Sequence, residues 1–439
     1  MSVMNASKTL AKLALLTDRF AEIIETKKKV LRISNQTREE DKNPSELVAP
    51  NQKRYRTYNQ YELEKVLFDE ERSSYALVKI IEELDLEGIY KTEKGGNVWA
   101  FSQNAVNKML KHVGKRISFK REGKMQVIII SNLKGGVGKS CLSINLSAGL
   151  ATVAYSGYRV LVIDLDPQAT LTNTYAPFLE RGSFMTVGDL LCGNFELDNG
   201  ETFGDAVRSS CLKTNIPDLD ILPADTTDVI FDSFVRDKQF DAIESGVPYS
   251  AHTAFEPIMD ALKDHYDIVI IDTPPRISEA VTAAHYSATS VIIPMRPSQG
   301  DHDSSSKYLL TLNSLYQRFI KFGHKGYDNI KLIQVGTMGT SESDLKTSRK
   351  VKARLGGACL PDFKSSEAVK RCSDILRGIF ELSPSEYAKR KPKKGKEEKT
   401  TQQGSRVSLM TAQSNMTDIT LEVEAMLQEA WDHEDENKE

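Results

Sequence analysis

Val127-Ile128-Ile129-Ile130-Ser131-Asn132-Leu133-Lys134-Gly135-Gly136-Val137-Gly138-Lys139-Ser140 decides the fold. Its β-branched opening reads as a strand buried on both faces. Gly135, Gly136 and Gly138 then let backbone N–H groups converge on phosphate oxygens, Lys139 adds a point charge, and Ser140 offers a hydroxyl to Mg2+ at the positive end of the next helix. A glycine-rich turn with chance lysines is the bland alternative, but it gives no reason for the strand before the loop or the helix after it. The usual spacing wants glycine five residues before Gly138, where Leu133 stands, and an extra lysine, Lys134, precedes the glycines. One nucleotide within one subunit has no need of that second cation, so Lys134 is expected to reach across a dimer.

Two further apolar runs end in carboxylates. Val160-Leu161-Val162-Ile163 leads into Asp164-Leu165-Asp166-Pro167-Gln168, and Ile268-Val269-Ile270-Ile271 into Asp272-Thr273-Pro274-Pro275. In a parallel α/β sheet, ligands bind beyond the carboxyl ends of the strands, so these acids are placed to hold Mg2+ and orient a water. A lone Asp at a strand end is more often a turn or cap; a phosphate loop followed by two acidic strand ends is harder to dismiss. The fold expected is α/β, a mostly parallel P-loop NTPase sheet flanked by helices.

Together with Val291-Ile292-Ile293-Pro294-Met295-Arg296-Pro297, these segments resemble the ParA/MinD group of deviant-Walker ATPases over about residues 125 to 380. The resemblance implies ATP or ADP with Mg2+ as cofactors. It assigns Gly135, Gly136, Val137, Gly138, Lys139, Ser140 and Cys141 to the nucleotide phosphates, and Lys134 to the nucleotide of the partner subunit. Ser140, Asp164 and Asp272 would serve the metal, Asp272 through water. Asp166 would orient the attacking water, which makes Lys134, Lys139 and Asp166 the expected catalytic residues, and Pro294 and Pro297 would lie near the adenine.

The 439-residue chain exceeds one comfortable domain, and its 40% hydrophobic content supplies ample core. No apolar run approaches the roughly 20 residues that span a bilayer. Lys8, Lys12 and Asp18 interrupt the apolar positions of the N-terminus, unlike a secretory signal. A cytoplasmic, nucleoid-associated protein is expected. Cys141, Cys192, Cys211, Cys359 and Cys372 show no Cys-x-x-Cys spacing, against a zinc site or disulfide framework.

Three parts are expected: a helical arm and linker over 1–50, a winged helix-turn-helix DNA-binding domain over 51–122, and the ATPase domain over 123–439. Leu13, Leu16, Phe20, Ile23 and Val30 keep spacings of three and four apart from Lys27, so a dimerising coiled-coil-like face is expected, with packing on its own domain as the alternative. Gln36 to Gln52 reads as a linker. Helices near Gln60–Phe68 and Ser74–Leu84 and the turn-rich Thr92-Glu93-Lys94-Gly95-Gly96-Asn97 suggest the winged module. The resemblance strengthens this, because the long ParA class of plasmid and secondary-chromosome partition systems carries such a module in front.

A net charge of −3 hides local asymmetry. Lys108, Lys111, Lys115, Arg116, Lys120, Arg121 and Lys124 crowd the entry to the ATPase region, and Lys389-Arg390-Lys391-Pro392-Lys393-Lys394-Gly395-Lys396 forms a second run. Either is phosphate-seeking or a solvated linker. Lys364, Lys370 and Arg371, with Lys346, Arg349 and Lys350 nearby, resemble the family's nonspecific DNA surface, an ordinary charged helix face being the alternative. Met416, Ile419, Leu421, Val423, Met426 and Leu427 fit a helix packing back on the domain, and the acidic end after Trp431 has the wrong sign for a membrane-binding tail.

The family then implies a homodimer, with filaments on DNA left open, that binds double-stranded DNA. A ParB-type centromere-binding partner would stimulate it to hydrolyse ATP, and repression of its own operon would be a second activity. The competing reading is a sequence-specific repressor that uses nucleotide only as a signal.

Overall fold

The computed structural model describes residues 6–35, 48–68, 74–86, 90–91, 97–98, 100–116, 121, 123–153, 157–180, 182–336, 341–364, 366–388 and 404–436. The strands in chain order are β1 (Thr57–Asn59), β2 (Tyr90–Lys91), β3 (Asn97–Val98), β4 (Ala100–Ser102), β5 (Gln126–Ile130), β6 (Val160–Asp164), β7 (Leu212–Lys213), β8 (Leu219–Leu222), β9 (Ile268–Asp272), β10 (Ser290–Met295) and β11 (Asn329–Gln334). Seven of them make one sheet in the order β11-β10-β5-β9-β6-β8-β7, parallel except for β7 against β8.

The continuous apolar runs have a physical cause in this sheet. Successive side chains point to opposite faces, and helices cover both. Ile128, Ile130, Val160, Val162, Ile268, Ile270 and Ile292 enter one core with the helix Lys139–Thr152 and the C-terminal helix Arg406–Glu436. Val127, Ile129, Leu161, Ile163, Val269, Ile271 and Ile293 enter the other. Each such side chain contributes about 1.5–3 kcal/mol when fully buried.

The C-terminal helix packs back as its pattern predicts, burying Met416, Ile419, Val423, Met426 and Leu427 and leaving Leu421 half-buried. Gly149 permits the approach, since a Cβ there would lie 2.2 Å from Thr420 Oγ1. Trp431, just before the expected acidic end, is itself buried and donates its indole N–H to Lys124 O at 2.8 Å.

In front of the sheet, helices Gln60–Phe68, Ser74–Glu83 and Gln103–His112 share a separate core of Tyr58, Leu63, Leu67, Leu77, Ile80, Phe101, Val106 and Met109. β1 pairs with β4 and β2 with β3, both antiparallel. Ser102 caps the third helix by accepting from Ala105 N; that helix is absent from the sequence reading. Most of the turn-rich segment, 92–96, lies outside the described residues.

The arm is one helix, Ala6–Asn35, through the backbone of Lys27 and Val30, and its Leu13, Leu16, Phe20 and Ile23 are exposed. Its end touches the ATPase region, where the Arg32 guanidinium lies 5.2 Å from the Phe178 ring centre. Residues 36–47 of the expected linker are outside the described residues, but its last part is no free linker. Asn51 donates to Tyr175 O at 2.6 Å, and next to it Lys53 is fully buried against Glu381 Oε2 at 2.5 Å, Thr174 O at 2.9 Å and Leu376 O at 3.0 Å.

Part of the first basic run is structural, not phosphate-seeking. Arg116 is buried, with bonds to Asn107 Oδ1 and Ala151 O, and Arg121 donates to Tyr266 O and Lys263 O. Lys124 pairs with Asp328 at 3.1 Å, while Lys108 and Lys111 remain exposed. Lys120 and the run from Lys389 to Lys396 lie outside the described residues. No helix among the described residues is long and apolar enough to cross a membrane.

Candidate active site

The loop Lys134–Gly138 leaves β5 at its carboxyl end and enters the helix Lys139–Thr152 through Gly138, whose φ of 92° lies in the left-handed region. A side chain there is excluded twice, because a Cβ would also come within 2.7 Å of Val335 Cγ1. Asn132, buried and unremarked in the sequence reading, ties the loop to its surroundings. Its Oδ1 accepts from Lys134 N at 3.1 Å, and its Nδ2 donates to Pro294 O at 2.8 Å and Ser305 Oγ at 3.0 Å.

Lys139 is nearly buried and donates to Lys134 O at 3.3 Å. Burial lowers its pKa, opposed by the carboxylates of Asp272 and Asp166, so the three charges share one site. Ser140 Oγ donates to Asp272 Oδ2 at 2.6 Å and Ser143 Oγ lies 2.7 Å from Oδ1. Cys141 is packed against the core, and burial pushes its thiol up to about 12, which disfavours the thiolate a nucleophile needs.

Asp164 and Asp272 are directly opposite on β6 and β9, and both are fully buried. Both are held above the usual carboxylate range by burial, Asp164 also by the neighbouring Asp272. Asp164 has its oxygens occupied: Oδ2 accepts from Thr172 N at 2.9 Å and Thr172 Oγ1 at 2.8 Å, and Oδ1 from Asp166 N at 3.3 Å. Its work is to anchor the turn that carries Asp166, whose own Oδ1 accepts from Gln168 N at 3.0 Å.

These donors fit Mg2+. It takes hard oxygens, demands few protein ligands and keeps waters beside substrate phosphates. Ser140 and Asp272 supply such oxygens, and among the described residues no group of three or more His, Cys, Asp or Glu could hold an ion alone. Pro294 sits inside β10 opposite Ile333, and Pro297 is buried just beyond the strand. Arg296, between them and exposed, brings Nη2 within 3.9 Å of where a Cβ on Gly136 would stand.

The expected DNA residues lie on two helices, Glu342–Leu355 and Glu367–Asp374, except Lys364, which stands in the segment before the second. Lys346 pairs with Glu342 at 2.9 Å and Arg371 with Glu367 at 3.0 Å. Arg349, Lys350, Lys364 and Lys370 are exposed.

Residues 125–321 match a family model described as an AAA domain. The plasmid partition protein A of Escherichia coli is 25% identical over 276 residues, covering 61% of this chain and 66% of that protein. The segment is an AAA domain similar to that of partition proteins. A putative replication protein A of Sinorhizobium fredii is 31% identical to the chain over 206 residues, 45% of this chain and 46% of that protein. The chain thus spans about half the length of that relative. A solved structure of a partition protein shares the fold, with a TM-score of 0.56 at 17% identity over 86% of this chain and 97% of its own. The AAA domain thus supplies the parallel sheet that positions Lys134, Lys139, Asp166 and Asp272.

Proposed function

We propose that the chain is an ATP-dependent DNA-partition ATPase of the cytoplasm and nucleoid. It binds ATP with Mg2+, dimerises on it and holds duplex DNA nonspecifically. The observation that carries this reading is the juxtaposition of a buried Lys139 with Asp166 and Asp272, with a second, half-exposed lysine, Lys134, at the rim of the same loop. Mg2+, when bound with nucleotide, neutralises phosphate charge. Lys139 and the loop amides hold the phosphates, Ser140 and Asp272 face the metal, and Asp166 orients water. Lys134 reaches the nucleotide of a second copy. The exposed apolar positions of the arm, Leu13, Leu16, Phe20 and Ile23, support a further contact between copies.

Slow hydrolysis by this set calls for a ParB-type stimulating partner, and the relatives named as partition proteins support that class of partner. The separate core of the front module, with its hairpin β2–β3, supports a winged helix-turn-helix that binds the operator. The same module is what favours the second reading, a nucleotide-sensing repressor without motor function.

Binding of the purified protein to a random duplex and to its own upstream DNA, with ATP, ADP or no nucleotide across a salt series, separates the two. Salt-sensitive, ATP-requiring binding to the random duplex supports the motor. Binding confined to upstream DNA, indifferent to nucleotide, overturns it in favour of the repressor.

A further inference from the structure

Ser143 is fully buried, one turn beyond Ser140. Positions three apart share a helix face, and here two hydroxyls on one face reach the two oxygens of one carboxylate: Ser140 Oγ to Asp272 Oδ2 at 2.6 Å and Ser143 Oγ to Oδ1 at 2.7 Å. A hydroxyl carries a single proton and two lone pairs. Ser140 can keep its proton on Asp272 while its lone pairs face a cation. Ser143 is enclosed, so its proton serves Asp272 or the Lys139 carbonyl at 3.0 Å, and an ionised carboxylate is the stronger acceptor.

A carboxylate held by both oxygens turns about its Cβ–Cγ bond less readily than one held by a single oxygen. The turn matters because Asp272 also feels the Lys139 ammonium, which competes with a cation for the same oxygens. We propose that Ser143 is a positioning residue for the divalent cation: it fixes the plane of Asp272 so that this carboxylate meets the cation that accompanies the nucleotide phosphates. The proposal rests on the ATP–Mg2+ reading above.

The test titrates Mg2+ against full-length protein with a fluorescent ATP analogue, and repeats analogue binding in EDTA. Ser143→Ala is expected to raise the Mg2+ midpoint about 10- to 100-fold, the usual cost of losing a group that orients a metal-facing residue. Binding in EDTA should stay within about twofold. In the cycle with Asp272→Asn, the double variant should be no worse than Asp272→Asn alone, because both changes act through one carboxylate. An unchanged midpoint, an equal loss with and without Mg2+, or additive effects overturns the proposal. Wild-type protein that binds no analogue in Mg2+ or EDTA sinks the nucleotide reading itself, a result distinct from all three.

Discussion

Lys134 Nζ lies 2.9 Å from Asp301 Oδ1, so the lysine expected to reach a partner's nucleotide is paired within its own chain. Asp301 is nearly buried, at the N-terminus of the helix Gln299–Lys321, and accepts from Ser298 Oγ. The helix end and the cap favour its charge, so Lys134 must leave a well-held carboxylate to engage phosphate. Asp301→Asn is therefore expected to raise ATP-driven dimerisation roughly fivefold, the equivalent of about 1 kcal/mol for a partly exposed pair. Lys134→Gln should lower dimerisation while leaving some nucleotide binding. Sedimentation velocity with a slowly hydrolysed ATP analogue checks both, and unchanged dimer fractions in the two variants would refute the cross-subunit role.

Asp166→Ala should trap the ATP state on DNA. The turn holding Asp166 is fixed mainly by Asp164 and Thr172, so the substitution gives up only the bond from Gln168 N together with the carboxylate proposed to orient water. Slow release from a random duplex with ATP, together with a loss of turnover of at least about tenfold, is the expected pair of results. Normal hydrolysis would mean that another group positions the water.

Much of this site was legible in the sequence because its signals are local. The run Val127–Ile130 became β5 within one residue, and the acidic strand ends became Asp164 and Asp272 face to face. The residues that escaped work across long separations. Asn132 bonds Ser305 and Ser143 bonds Asp272, pairings that no periodicity encodes. Ser140 and Ser143, polar on an apolar helix, and Ser298-x-x-Asp301, which has the form of a helix cap, were the available hints. Arg116 was misread for the complementary reason: charge density along a chain does not say which cations the fold will bury.

Lys53 carried no sequence hint at all, and it yields a stability prediction. Its ammonium is fully buried against Glu381, which also accepts from Gly378 N at 2.7 Å and Asn215 Nδ2 at 2.8 Å. Burial lowers the Lys53 pKa to about 8, with Glu381 opposing. Breaking such a pair costs about 3–5 kcal/mol because one charge stays buried alone, whereas replacing both partners by apolar residues is often neutral. Lys53→Met should thus be far more destabilising in urea than Lys53→Met with Glu381→Leu. Equal losses would show that the hydrogen bonds, not the charges, dominate.

His285 sets a pH dependence. It is fully buried, its Nε2 lies 3.0 Å from Tyr308 Oη, and burial lowers its pKa to about 3 from 6.5. A group whose folded pKa is depressed gives stability that is present above the unfolded value and lost as pH falls towards the folded one. Below 6.5 the unfolded chain takes the proton first, so stability should fall by at most about 1.4 kcal/mol per pH unit from this group. Urea midpoints between pH 7 and 5 should fall less steeply in His285→Gln than in the parent. Parallel slopes would show that the histidine titrates alike in both states.

The basic helices make the last prediction one of slope as well as affinity. Lys350 and Lys370 are exposed and without an ion pair among the described residues, whereas Lys352 is held by Asp362 at 2.7 Å. Each lysine that meets a phosphate releases about one counterion, so its loss weakens binding to all sequences alike and reduces the salt slope by roughly one. Lys350→Ala and Lys370→Ala should each do this for a random duplex in ATP, while Lys352→Ala, whose side chain already has a partner, should change the slope much less. If the two exposed lysines leave the slope untouched, the DNA surface lies elsewhere on the molecule.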